Sequence, residues 1–478
     1  MLLKEIEYEG TFENVEVKDV VSDSRKVSRG SVFVCIKGRR FDGHDLAEKA
    51  LESGASLIVS ERRLGLENEV VVKDARFAYA RLCQGYFSNP QKKLTLIAVT
   101  GTNGKTTVSS IVKQALCRMG IKTGLIGTIH CEIGDMIIPA KFTTPEAWDC
   151  CALFSRMINA NCTHVVMEAS SQALDQGRLL GLEFACCVFT NLTGDHLDYH
   201  GNMENYYQAK KLLFAQTKNA VINIDDEYGK RLYEELDINK TSFSIESDNA
   251  DYSAKSIDCS ISGVKFLING NSFISRVSFP MPGMYSVHNA MSAACVLFSL
   301  GMDRQSVCEA ISETKGVKGR CELLYSDDVT VICDFAHTGD GLKQLLSSLR
   351  PFVKGRLVTL FGCAGDRDPI KRPAMAEAVC KYSDFIVLTS DNPRTEDPLK
   401  IISEVAPLIR ESGKPFTAEV DRFYAILWAL DNLHKDDVLV LCGKGHEDYQ
   451  VIDGCTIFLD EHRIVKDYFD NKSKQGTK

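Results

Sequence analysis

Four features are missing from this 478-residue sequence, namely a long apolar run, a signal-peptide core, a C-x-x-C pair and a net positive charge, and each absence argues against a class of protein. No apolar run approaches the ~18 residues of a membrane-spanning helix, and the charged start MLLKEIEYEG lacks a signal-peptide core. Although the chain has 18 cysteines, it has no C-x-x-C pair, which argues against zinc-ribbon and thioredoxin-type sites. The net charge of −8 gives no electrostatic reason to expect nucleic acid or an anionic membrane as a partner. We therefore expect a soluble cytoplasmic protein.

The cysteines that are present are predicted to be buried thiols. Two adjacent pairs, Cys150–Cys151 and Cys186–Cys187, and single residues such as Cys333 and Cys442 lie inside apolar runs. Cysteine in such runs behaves as a small hydrophobic residue. So many thiols without a disulfide framework indicate a reducing compartment.

Length and patterning predict an α/β protein of about three domains. Short β-like runs alternate with helical ones from the start of the chain, as in SVFVCIKG, LAEKALESG and SLIVSE. The segment NPQKKL (89–94) is predicted to be a linker, and GVKGR (316–320) to be a hinge-like boundary. The predicted domains are therefore 1–92, 93–318 and 319–478.

The strongest motif is LIAVTGTNGKTT, residues 96–107. An apolar strand breaks at Gly101 into a small polar loop, and Lys105 begins a helix that Gly120 is placed to end. Backbone N–H groups and the positive end of a helix dipole bind phosphate, a lysine neutralises it, and a hydroxyl can reach Mg²⁺. Only two residues separate Gly101 from Gly104, whereas the common P-loop has four. A plain strand-to-helix turn is the alternative.

Polar clusters elsewhere in the first two predicted domains are candidates for phosphate and metal binding. Ser24, Arg39 and Arg40 carry donors suited to a diphosphate, although surface turns of this composition are common. Thr143 and Thr144 form a hydroxyl-rich turn, for which a purely structural role is the alternative. The strand-like run THVVM ends in Glu168, and ligands of open α/β sheets sit where strands end, so Glu168 is a candidate Mg²⁺ ligand.

Two histidines four residues apart, His196 and His200, would share a face if both lay on one helix, as in zinc sites. No glutamate follows His196 and no third ligand lies nearby in sequence, so zinc is the weaker interpretation beside polar packing or magnesium–phosphate binding. By residue type alone, Lys210 and Lys211 would form a solvated helix face. Asn289 near a helix start is a candidate for adenine or phosphate contact or for a helix cap, and Arg320 is a phosphate candidate.

One sequence pattern, an apolar run followed by a polar loop, occurs four times in the third predicted domain. The apolar runs VTVIC, LVTLFG, DFIVLTS and DVLVLCG each end in a polar loop. Continuous apolar strands separated by helices indicate a parallel sheet buried on both faces, and right-handed crossovers bring the strand ends to one edge. Four loops with charged and imidazole groups at one edge predict a binding site. The polar tail NKSKQGTK (471–478) is expected to fray.

Seven motifs, GTNGKTT, EASSQALDQGR, NLTGDHLDYHG, DFAHTGDGL, GDRD…KRP, DNPR and GKGHE, occur in this order. With them, residues from about 22 to 450 resemble the Mur ligases and, within that family, the MurE type, which adds the third residue of the peptidoglycan stem peptide. The resemblance implies a small N-terminal α/β domain that holds a uridine nucleotide, a central P-loop-like ATPase domain with a parallel sheet, and a C-terminal Rossmann-like domain that closes over the site and binds the amino acid. It also implies roles in cell-wall biogenesis, cell shape, cell division and the cell cycle in a bacterial cytoplasm.

The resemblance further implies roles for individual residues. The catalytic set would be Lys105, Glu168, His196, Lys210 and His337. Magnesium would be bound by Thr106, Glu168, His196 and a CO₂-derived carbamate on Lys210. ATP would be bound by Gly101, Thr102, Asn103, Gly104, Lys105, Thr106, Thr107, Asn289, Arg320 and Asp334. The UDP-MurNAc-L-Ala-D-Glu substrate would be bound by Ser24, Thr143, Thr144, Ser170, Gln176 and Arg178. The incoming amino acid would be held by Arg372, Asp391, Asn392, Pro393, Arg394, Gly443 and Glu447.

We predict the identity of the incoming amino-acid substrate from Arg394. Meso-diaminopimelate has a distal carboxylate that a planar guanidinium can grip with two hydrogen bonds, and lysine lacks that carboxylate. An arginine left without a carboxylate partner would be costly, so the site should reject lysine. The sequence departs from the common family pattern at Gly194, Phe335 and Gly339, which makes the loop around His337 harder to predict.

The predicted activity is ATP-dependent formation of a C–N bond, through an acyl phosphate on D-glutamate, by a monomer. Three alternatives remain: the same ligase using L-lysine, a sibling such as a folylpolyglutamate synthetase, and a non-catalytic nucleotide-binding relative. The 24–41 cluster and DNPR argue against the sibling, and the intact lysines, glutamate and histidines of the catalytic set argue against the non-catalytic relative.

Overall fold

A computed structural model gives the fold and describes residues 4, 6–10, 16–38, 41–367, 369 and 371–475. The chain forms two compact units. The first comprises Met1–Leu192, Tyr199–Phe243 and Ser292–Val307. The second comprises Thr193–Asp198, Ser244–Met291 and Cys308–Lys478. Arg39, Arg40 and Asp368, which belong to motifs singled out in the sequence, lie outside the described residues.

The first unit begins with a four-stranded parallel sheet. Its strands, in spatial order, are β1 (Asp19–Val21), β2 (Ser31–Val34), β3 (Ala55–Ser60) and β4 (Glu69–Val71). The helices α1 (Ala47–Glu52) and α2 (Ala75–Tyr86) accompany it. Every residue of β2 is buried, as the apolar run SVFV predicts for a strand covered on both faces.

A second sheet of the first unit carries the glycine loop. Its strands are β5 (Thr95–Thr100), β6 (Thr123–Ile126), β7 (His130–Ile133), β8 (Met136–Pro139), β9 (His164–Glu168), β10 (Cys186–Phe189), β11 (Asn219–Asn223) and β12 (Asn239–Ser244). Their spatial order is β12-β11-β10-β5-β9-β6-β7-β8, in which the pairs β6–β7 and β7–β8 are antiparallel and the other neighbouring pairs are parallel. The helices of this part of the chain are α3 (Lys105–Arg118), α4 (Ala147–Asn159), α5 (Ser171–Asp175), α6 (Leu197–His200), α7 (Met203–Lys211) and α8 (Glu227–Glu235).

The register of the central strands positions the site. Val99 of β5 lies beside Glu168 of β9, and Thr100 lies beside Phe189 of β10. The chain therefore leaves β5, β9 and β10 at the same sheet edge, as expected for parallel strands. Helix α3 confirms the predicted pattern, because Val108, Ile111, Val112, Ala115 and Leu116 are buried. Gly120 then adopts φ 80°, a left-handed conformation suited to a helix end.

The second unit contains an antiparallel meander and a larger parallel sheet. The meander consists of β13 (Tyr252–Ser260), β14 (Gly263–Gly270) and β15 (Phe273–Phe279). Two helices follow in the chain, α9 (Met284–Ser299) and α10 (Arg304–Ser312). In α9 the predicted core residues Ala290, Ala293, Ala294 and Leu297 are all fully buried.

The parallel sheet of the second unit confirms the four strands predicted from the apolar runs. Its strands are β16 (Glu322–Ser326), β17 (Thr330–Asp334), β18 (Leu357–Phe361), β19 (Phe385–Leu388), β20 (Phe416–Ala418) and β21 (Val438–Cys442). Their order is β16-β17-β21-β18-β19-β20, and only β16 is antiparallel to its neighbour. A hairpin of β22 (Tyr449–Ile452) and β23 (Cys455–Phe458) completes the described strands. The helices are α11 (Gly339–Leu349), α12 (Lys371–Tyr382), α13 (Pro398–Glu411), α14 (Arg422–Asp431) and α15 (Glu461–Gln475).

Of two expectations about connecting and terminal segments, the linker at 89–94 stays a prediction and the fraying of the tail was wrong. The predicted linker NPQKKL contains a short helical turn, Pro90–Lys93, whose Pro90 and Gln91 are buried. The tail is helical through Gln475, and residues 476–478 lie outside the described part. The cysteines are free and most are buried, as predicted for small apolar side chains. None of the described helices combines the length and apolarity needed to cross a membrane.

Candidate functional site

The loop after β5 is held in a shape that only glycine allows at its first position. Gly101 has φ 150°, and a Cβ there would lie 1.8 Å from the Thr190 hydroxyl. The Asn103 N–H donates to the Asn191 side-chain oxygen at 2.9 Å, and Asn191 returns a hydrogen bond to the Asn103 carbonyl. Gly104, at φ 86°, precedes the first turn of the 14-residue helix α3. The loop therefore ends at a helix N-terminus, the arrangement that binds anions.

Lys105 is folded back across this loop. Its ammonium donates to the Gly101 and Thr102 carbonyl oxygens, both at 2.8 Å. The next two residues, Thr106 and Thr107, are buried in the first turn of α3, and Thr102 contacts the Tyr206 hydroxyl at 3.2 Å. The predicted phosphate-binding residues 101–107 thus form one continuous ordered segment with a cation at its centre.

Glu168, the last residue of β9, is buried beside the loop. Its carboxylate accepts a hydrogen bond from the Thr106 hydroxyl at 3.0 Å. Thr128 donates to the same carboxylate twice, from its backbone N–H at 2.9 Å and from its hydroxyl at 2.8 Å. The Thr143 hydroxyl lies 3.1 Å from that of Thr128. A carboxylate surrounded by hydroxyls supplies the hard oxygen ligands that Mg²⁺ prefers.

Residue type alone predicts that Lys210 lies at the surface, but the structure buries it. It is 1% exposed, and its ammonium donates to the Gly101 carbonyl at 2.8 Å and lies 4.7 Å from the centre of the Tyr206 ring. The next residue, Lys211, is half-buried and pairs with Glu235 at 2.6 Å. Lys210 therefore belongs to the glycine-loop cluster, in contact with the same backbone carbonyl as Lys105.

The residues predicted to hold the nucleotide-sugar peptide form a connected chain of hydrogen bonds. The Thr144 hydroxyl donates to the Glu168 backbone carbonyl at 2.8 Å and accepts from the Ser170 N–H at 2.9 Å. Arg178 donates to the Thr144 carbonyl at 2.9 Å and to the Gln176 side-chain oxygen at 2.7 Å. Ser24 begins a short helical turn after β1, and no side-chain hydrogen bond joins it to this group within the described part of the chain. The structure thus brings five of the six predicted residues together.

His196 and His200 do not share a helical face. His196 precedes α6 with a left-handed backbone at φ 55°, whereas His200 lies in α6 and is buried against the Ser171 hydroxyl at 2.9 Å. Asp195 lies 3.5 Å from the His196 ring and pairs with Lys371 at 2.9 Å. Burial alone would raise the pKa of Asp195, but the neighbouring His196 and Lys371 bring it to about 2. Among the described residues, no three His, Cys, Asp or Glu side chains are grouped as metal ligands.

Three of the predicted ATP-facing residues are neighbours in the second unit. The Arg320 guanidinium lies 4.4 Å from the centre of the Phe335 ring, and the exposed His337 contacts the Phe335 carbonyl at 2.8 Å. Asp334 accepts the Cys321 and Ala336 N–H groups, each at 2.6 Å. Burial raises the pKa of Asp334, against the lowering effect of Arg320. The fourth residue, Asn289, is buried in the second turn of α9, past the position of a helix cap.

The loops after β19 and β21 carry most of the predicted amino-acid site. Asn392 donates from its side chain to Glu447 at 3.0 Å. Asp391 is buried beside Gly443, where a Cβ would lie 2.4 Å from the Asp391 carboxylate. Lys444, which sequence reasoning did not single out, donates to both Asn392 and Glu447 at 2.9 and 2.7 Å. These contacts join the two loops into one polar cluster.

The two predicted arginines of this site differ in what they contact. Arg394 has a left-handed backbone at φ 56°, pairs with the β22 hairpin through its N–H to the Val451 carbonyl, and donates from its guanidinium to the Gly365 carbonyl at 2.6 Å. Pro393 precedes it and is buried. Arg372 on α12 is buried and pairs with Glu396 at 2.8 Å and also with Glu404. The Arg372 guanidinium is thus already bound to two carboxylates.

Three contributors to these clusters were given no individual role in the sequence analysis: Thr128, Asn191 and Lys444. Asn191 follows the predicted strand that became β10, so the strand-end argument applied to Glu168 could have found it. Lys444 lies in one of the four predicted polar loops, but its contact with Asn392, 52 residues away, could not be predicted from the sequence, nor could that of Thr128 with Glu168, 40 residues away.

Comparison with known proteins covers nearly the whole chain. Three family models match it: the Mur ligase catalytic domain at residues 16–82, the Mur ligase middle domain at 99–297, and the Mur ligase glutamate ligase domain at 319–445. The UDP-N-acetylmuramoyl-L-alanyl-D-glutamate–2,6-diaminopimelate ligase of Caldanaerobacter subterraneus subsp. tengcongensis is 42% identical over 466 residues, which are 96% of each protein. The enzyme of the same name from Clostridium perfringens is 38% identical over 98% of this chain and 99% of its own length.

A solved structure agrees with the sequence comparison. A structure titled as a UDP-N-acetylmuramoyl-L-alanyl-D-glutamate–2,6-diaminopimelate ligase covers 99% of both chains with a TM-score of 0.73 and 32% identity. The α/β architecture with parallel sheets, expected from the sequence, is that of the three-domain ligases. The glycine loop, the buried glutamate beside it and three consecutive family matches lead to one assignment: this chain belongs to the Mur ligase family.

Proposed function

We propose that this chain is an ATP-dependent ligase that joins meso-diaminopimelate to the D-glutamate carboxylate of UDP-MurNAc-L-Ala-D-Glu, in the synthesis of peptidoglycan precursors. The observation that carries the proposal is the similarity, 42% over 96% of both chains, to a relative named for this reaction. We propose further that it acts as a monomer in the cytoplasm of a bacterium, on small-molecule substrates, without binding nucleic acid.

The nucleotide end of the reaction is assigned to the glycine loop. The N-terminus of α3 and the Lys105 ammonium supply positive charge where the ATP phosphates would bind. Lys105 would exchange its two loop carbonyl partners for phosphate oxygens, which are stronger acceptors because they are charged. Asn289, Arg320 and Asp334 are proposed to contact the nucleotide as well.

The groups around Glu168 fit a magnesium ion. A buried carboxylate with the Thr106 hydroxyl 3.0 Å away is a donor set of oxygen atoms, and Mg²⁺ in phosphate sites is commonly held by one or two carboxylates together with the phosphates and water. Bound magnesium neutralises the charge that develops on a transferring phosphoryl group. His196 is proposed as a ligand of a second ion.

Lys210 fits the proposed carbamate in position and burial. Its amine is shielded from water and contacts the Gly101 carbonyl, so it lies in the same cluster as Lys105 and Glu168. The Lys210 ammonium first loses a proton to become an amine, and addition of CO₂ to that amine with loss of a second proton forms the C–N bond of a carbamate, so an anion replaces the cation. That change would turn Lys210 into a ligand of the kind that magnesium prefers.

The amino-acid end is assigned to the polar cluster after β19 and β21. The Glu447 and Asp391 carboxylates supply acceptors for the amino groups of diaminopimelate, and the Arg394 guanidinium supplies donors for its distal carboxylate. Arg394 would exchange the Gly365 carbonyl for that carboxylate. Arg372, Asn392, Pro393 and Gly443 would shape this pocket.

The proposed reaction has two steps. The D-glutamate carboxylate attacks the γ-phosphorus of ATP, which forms an acyl phosphate and releases ADP. The uncharged amine of diaminopimelate then attacks the acyl carbon, the tetrahedral intermediate loses phosphate, and a proton is released as the amide forms. The residues of the chain contribute positioning and charge neutralisation, which dominate phosphoryl-transfer catalysis, and no covalent enzyme intermediate is needed. Movement about residues 316–319 to exclude water stays a prediction.

The proposal is tested by release of ADP in reactions that each omit one component. The complete mixture contains the protein, ATP, Mg²⁺, UDP-MurNAc-L-Ala-D-Glu and meso-diaminopimelate, and the UDP-tripeptide is identified by mass. We expect ADP release to require both the nucleotide-sugar peptide and the amino acid. ADP release without either, or no tripeptide in the complete mixture, would contradict the proposal.

A further inference from the structure

Lys444 is a cation with no exposure to solvent. It lies in the loop after β21, and its side chain is 0% exposed. A buried charge is tolerated only when it is paired and hydrogen-bonded. The Lys444 ammonium donates to the Asn392 side-chain oxygen at 2.9 Å and to the Glu447 carboxylate at 2.7 Å, and it lies 5.1 Å from the centre of the Tyr449 ring. The pairing explains the burial and links two loops.

The contacts of Lys444 also fix which way the Asn392 amide faces. The amide oxygen accepts the Lys444 ammonium and the Val451 N–H, both at 2.9 Å. With two donors on that oxygen, the amide nitrogen is directed to the Glu447 carboxylate, 3.0 Å away. Rotation of the amide by 180° would place its NH₂ group against two donors, so Lys444 disfavours the rotated form.

The two oxygen atoms of the Glu447 carboxylate have different partners. Its Oε2 atom accepts from both Lys444 and Asn392, and its Oε1 atom contacts the Tyr449 hydroxyl at 3.4 Å. Oε1 has the longer and weaker of these contacts, so it is the oxygen better placed to accept a donor from a bound molecule. Lys444 therefore holds the carboxylate by one oxygen and leaves the other for a ligand.

We propose that Lys444 is a positioning residue for the incoming amino acid, acting through Asn392 and Glu447. This inference rests on the proposed function, which assigns those two residues to diaminopimelate. Lys444 does not contact the amino acid or the reacting atoms. It fixes the amide and the carboxylate before the substrate arrives. The free energy of binding is therefore not reduced by the cost of ordering these two side chains.

The test is a Lys444→Met variant, which keeps the length of the side chain and removes its charge and donors. We expect the KM for meso-diaminopimelate to rise by about 10- to 100-fold, the effect of losing hydrogen bonds to a charged group. The KM values for ATP and for UDP-MurNAc-L-Ala-D-Glu should stay within about twofold, because neither substrate is assigned to this cluster. The kcat should fall by less than the KM rises.

Two further variants separate positioning from folding. Lys444→Gln keeps an N–H donor without the buried charge, so we expect it to fold and to raise the same KM by a smaller factor. Lys414→Met removes a lysine of the same unit whose ammonium donates to the Ser383 carbonyl at 2.8 Å, and it should leave all three KM values unchanged. Thermal unfolding of each variant reports whether the fold is intact.

The outcomes distinguish this inference from the proposed function. Wild-type protein that does not ligate diaminopimelate overturns the proposed function and the role of Lys444 with it. Active wild type together with folded Lys444 variants of unchanged KM for diaminopimelate overturns the role of Lys444 alone. Equal increases in all three KM values would also overturn it, because they would indicate general damage to the structure.

Discussion

The Arg394 guanidinium donates to the Gly365 carbonyl at 2.6 Å, which joins the loop after β19 to the loop after β18. The backbone of Arg394 is left-handed, at φ 56°, and its N–H and carbonyl are bonded to Val451 and Asp453 of the β22–β23 hairpin. Non-glycine residues in this conformation are uncommon and are retained when the surrounding structure determines them. The backbone of Arg394 is thus held on both sides, while its side chain reaches across to a neighbouring loop.

Replacing Arg394 tests its proposed role in selecting the amino acid. In Arg394→Ala we expect kcat/KM for meso-diaminopimelate to fall by about 100- to 1000-fold, since two charge-assisted hydrogen bonds to the distal carboxylate are lost. Alanine in this backbone is no more strained than arginine, so the protein should fold. The matched control is Arg410→Ala, an exposed arginine of α13. A variant that keeps its full preference for diaminopimelate would contradict the assignment.

Gly101→Ala tests whether the glycine loop must approach the strand end as closely as it does. The new Cβ would meet the Thr190 hydroxyl at 1.8 Å, so the loop has to move and binding of ATP should be lost. Gly120→Ala is the control, since Gly120 also has a positive φ but has no atom within 4 Å of an added Cβ. We expect both variants to lose some thermal stability and only Gly101→Ala to lose nucleotide binding, measured by calorimetry. Normal nucleotide binding by Gly101→Ala would refute this account of the loop.

Thr128→Val tests whether the hydroxyls around Glu168 prepare the carboxylate for magnesium. Valine keeps the shape of threonine and removes one of the hydrogen bonds to the carboxylate, so we expect Mg²⁺-dependent nucleotide affinity to fall by about tenfold. Binding measured in EDTA should change less. Thr123→Val in β6 is the control, because that buried hydroxyl donates only to the Ile121 carbonyl among its described contacts. Equal effects with and without Mg²⁺ would argue against the role of Thr128.

A histidine–glutamate pair in the second unit predicts how stability depends on pH. His462 contacts Glu322 at 2.7 Å. Burial alone would lower the pKa of His462, but Glu322 raises it above its ordinary value of 6.5, and burial alone would raise the pKa of Glu322, but His462 lowers it below 4.5. When the pKa of a histidine is higher in the folded than in the unfolded protein, its charge stabilises the fold. This stabilisation is fully present at a pH below the unfolded-state pKa and is lost as the pH rises through the folded-state pKa.

His462→Gln should therefore lower the urea midpoint at pH 6 more than at pH 9. The difference has this direction because at pH 9 the wild-type histidine has also lost its proton. The substitution then removes less of the stabilisation that the charged pair provides. His434→Gln, at an exposed histidine of the same unit, is the matched control for the substitution itself. A loss of stability for His462→Gln that is the same at both pH values would show that packing, not charge, accounts for the contact.

Strand ends were the part of the site that could be predicted from sequence. Glu168 ends an apolar run in the central sheet of the first unit, and Asp334 and Asp391 follow apolar runs in the parallel sheet of the second unit. Within each sheet, parallel packing brings the strand ends to one edge whatever the details of the loops. The glycine loop was predictable for a related reason, because strand, glycine and lysine succeed one another locally.

Residues whose environment comes from distant segments could not be predicted in the same way. Lys210 has the sequence context of a surface helix, and only the approach of the Gly101 carbonyl, 109 residues away, makes it a buried partner of the loop. Arg372 was predicted to hold the amino acid, and its pairing with Glu404 of α13, 32 residues away, could not be predicted from the sequence. His196 and His200 have helical spacing, and the left-handed backbone at His196 separates them.

Amino-acid preference of the wild-type protein tests the central claim most directly. Ligation of UDP-MurNAc-L-Ala-D-Glu is measured with ATP, Mg²⁺ and either meso-diaminopimelate or L-lysine over a range of concentrations. We expect kcat/KM to favour diaminopimelate by at least about 1000-fold, because a site built around an arginine for a carboxylate rejects an analogue that lacks it. Equal use of both amino acids, or a preference for L-lysine, would contradict the account and assign Arg394 to another role.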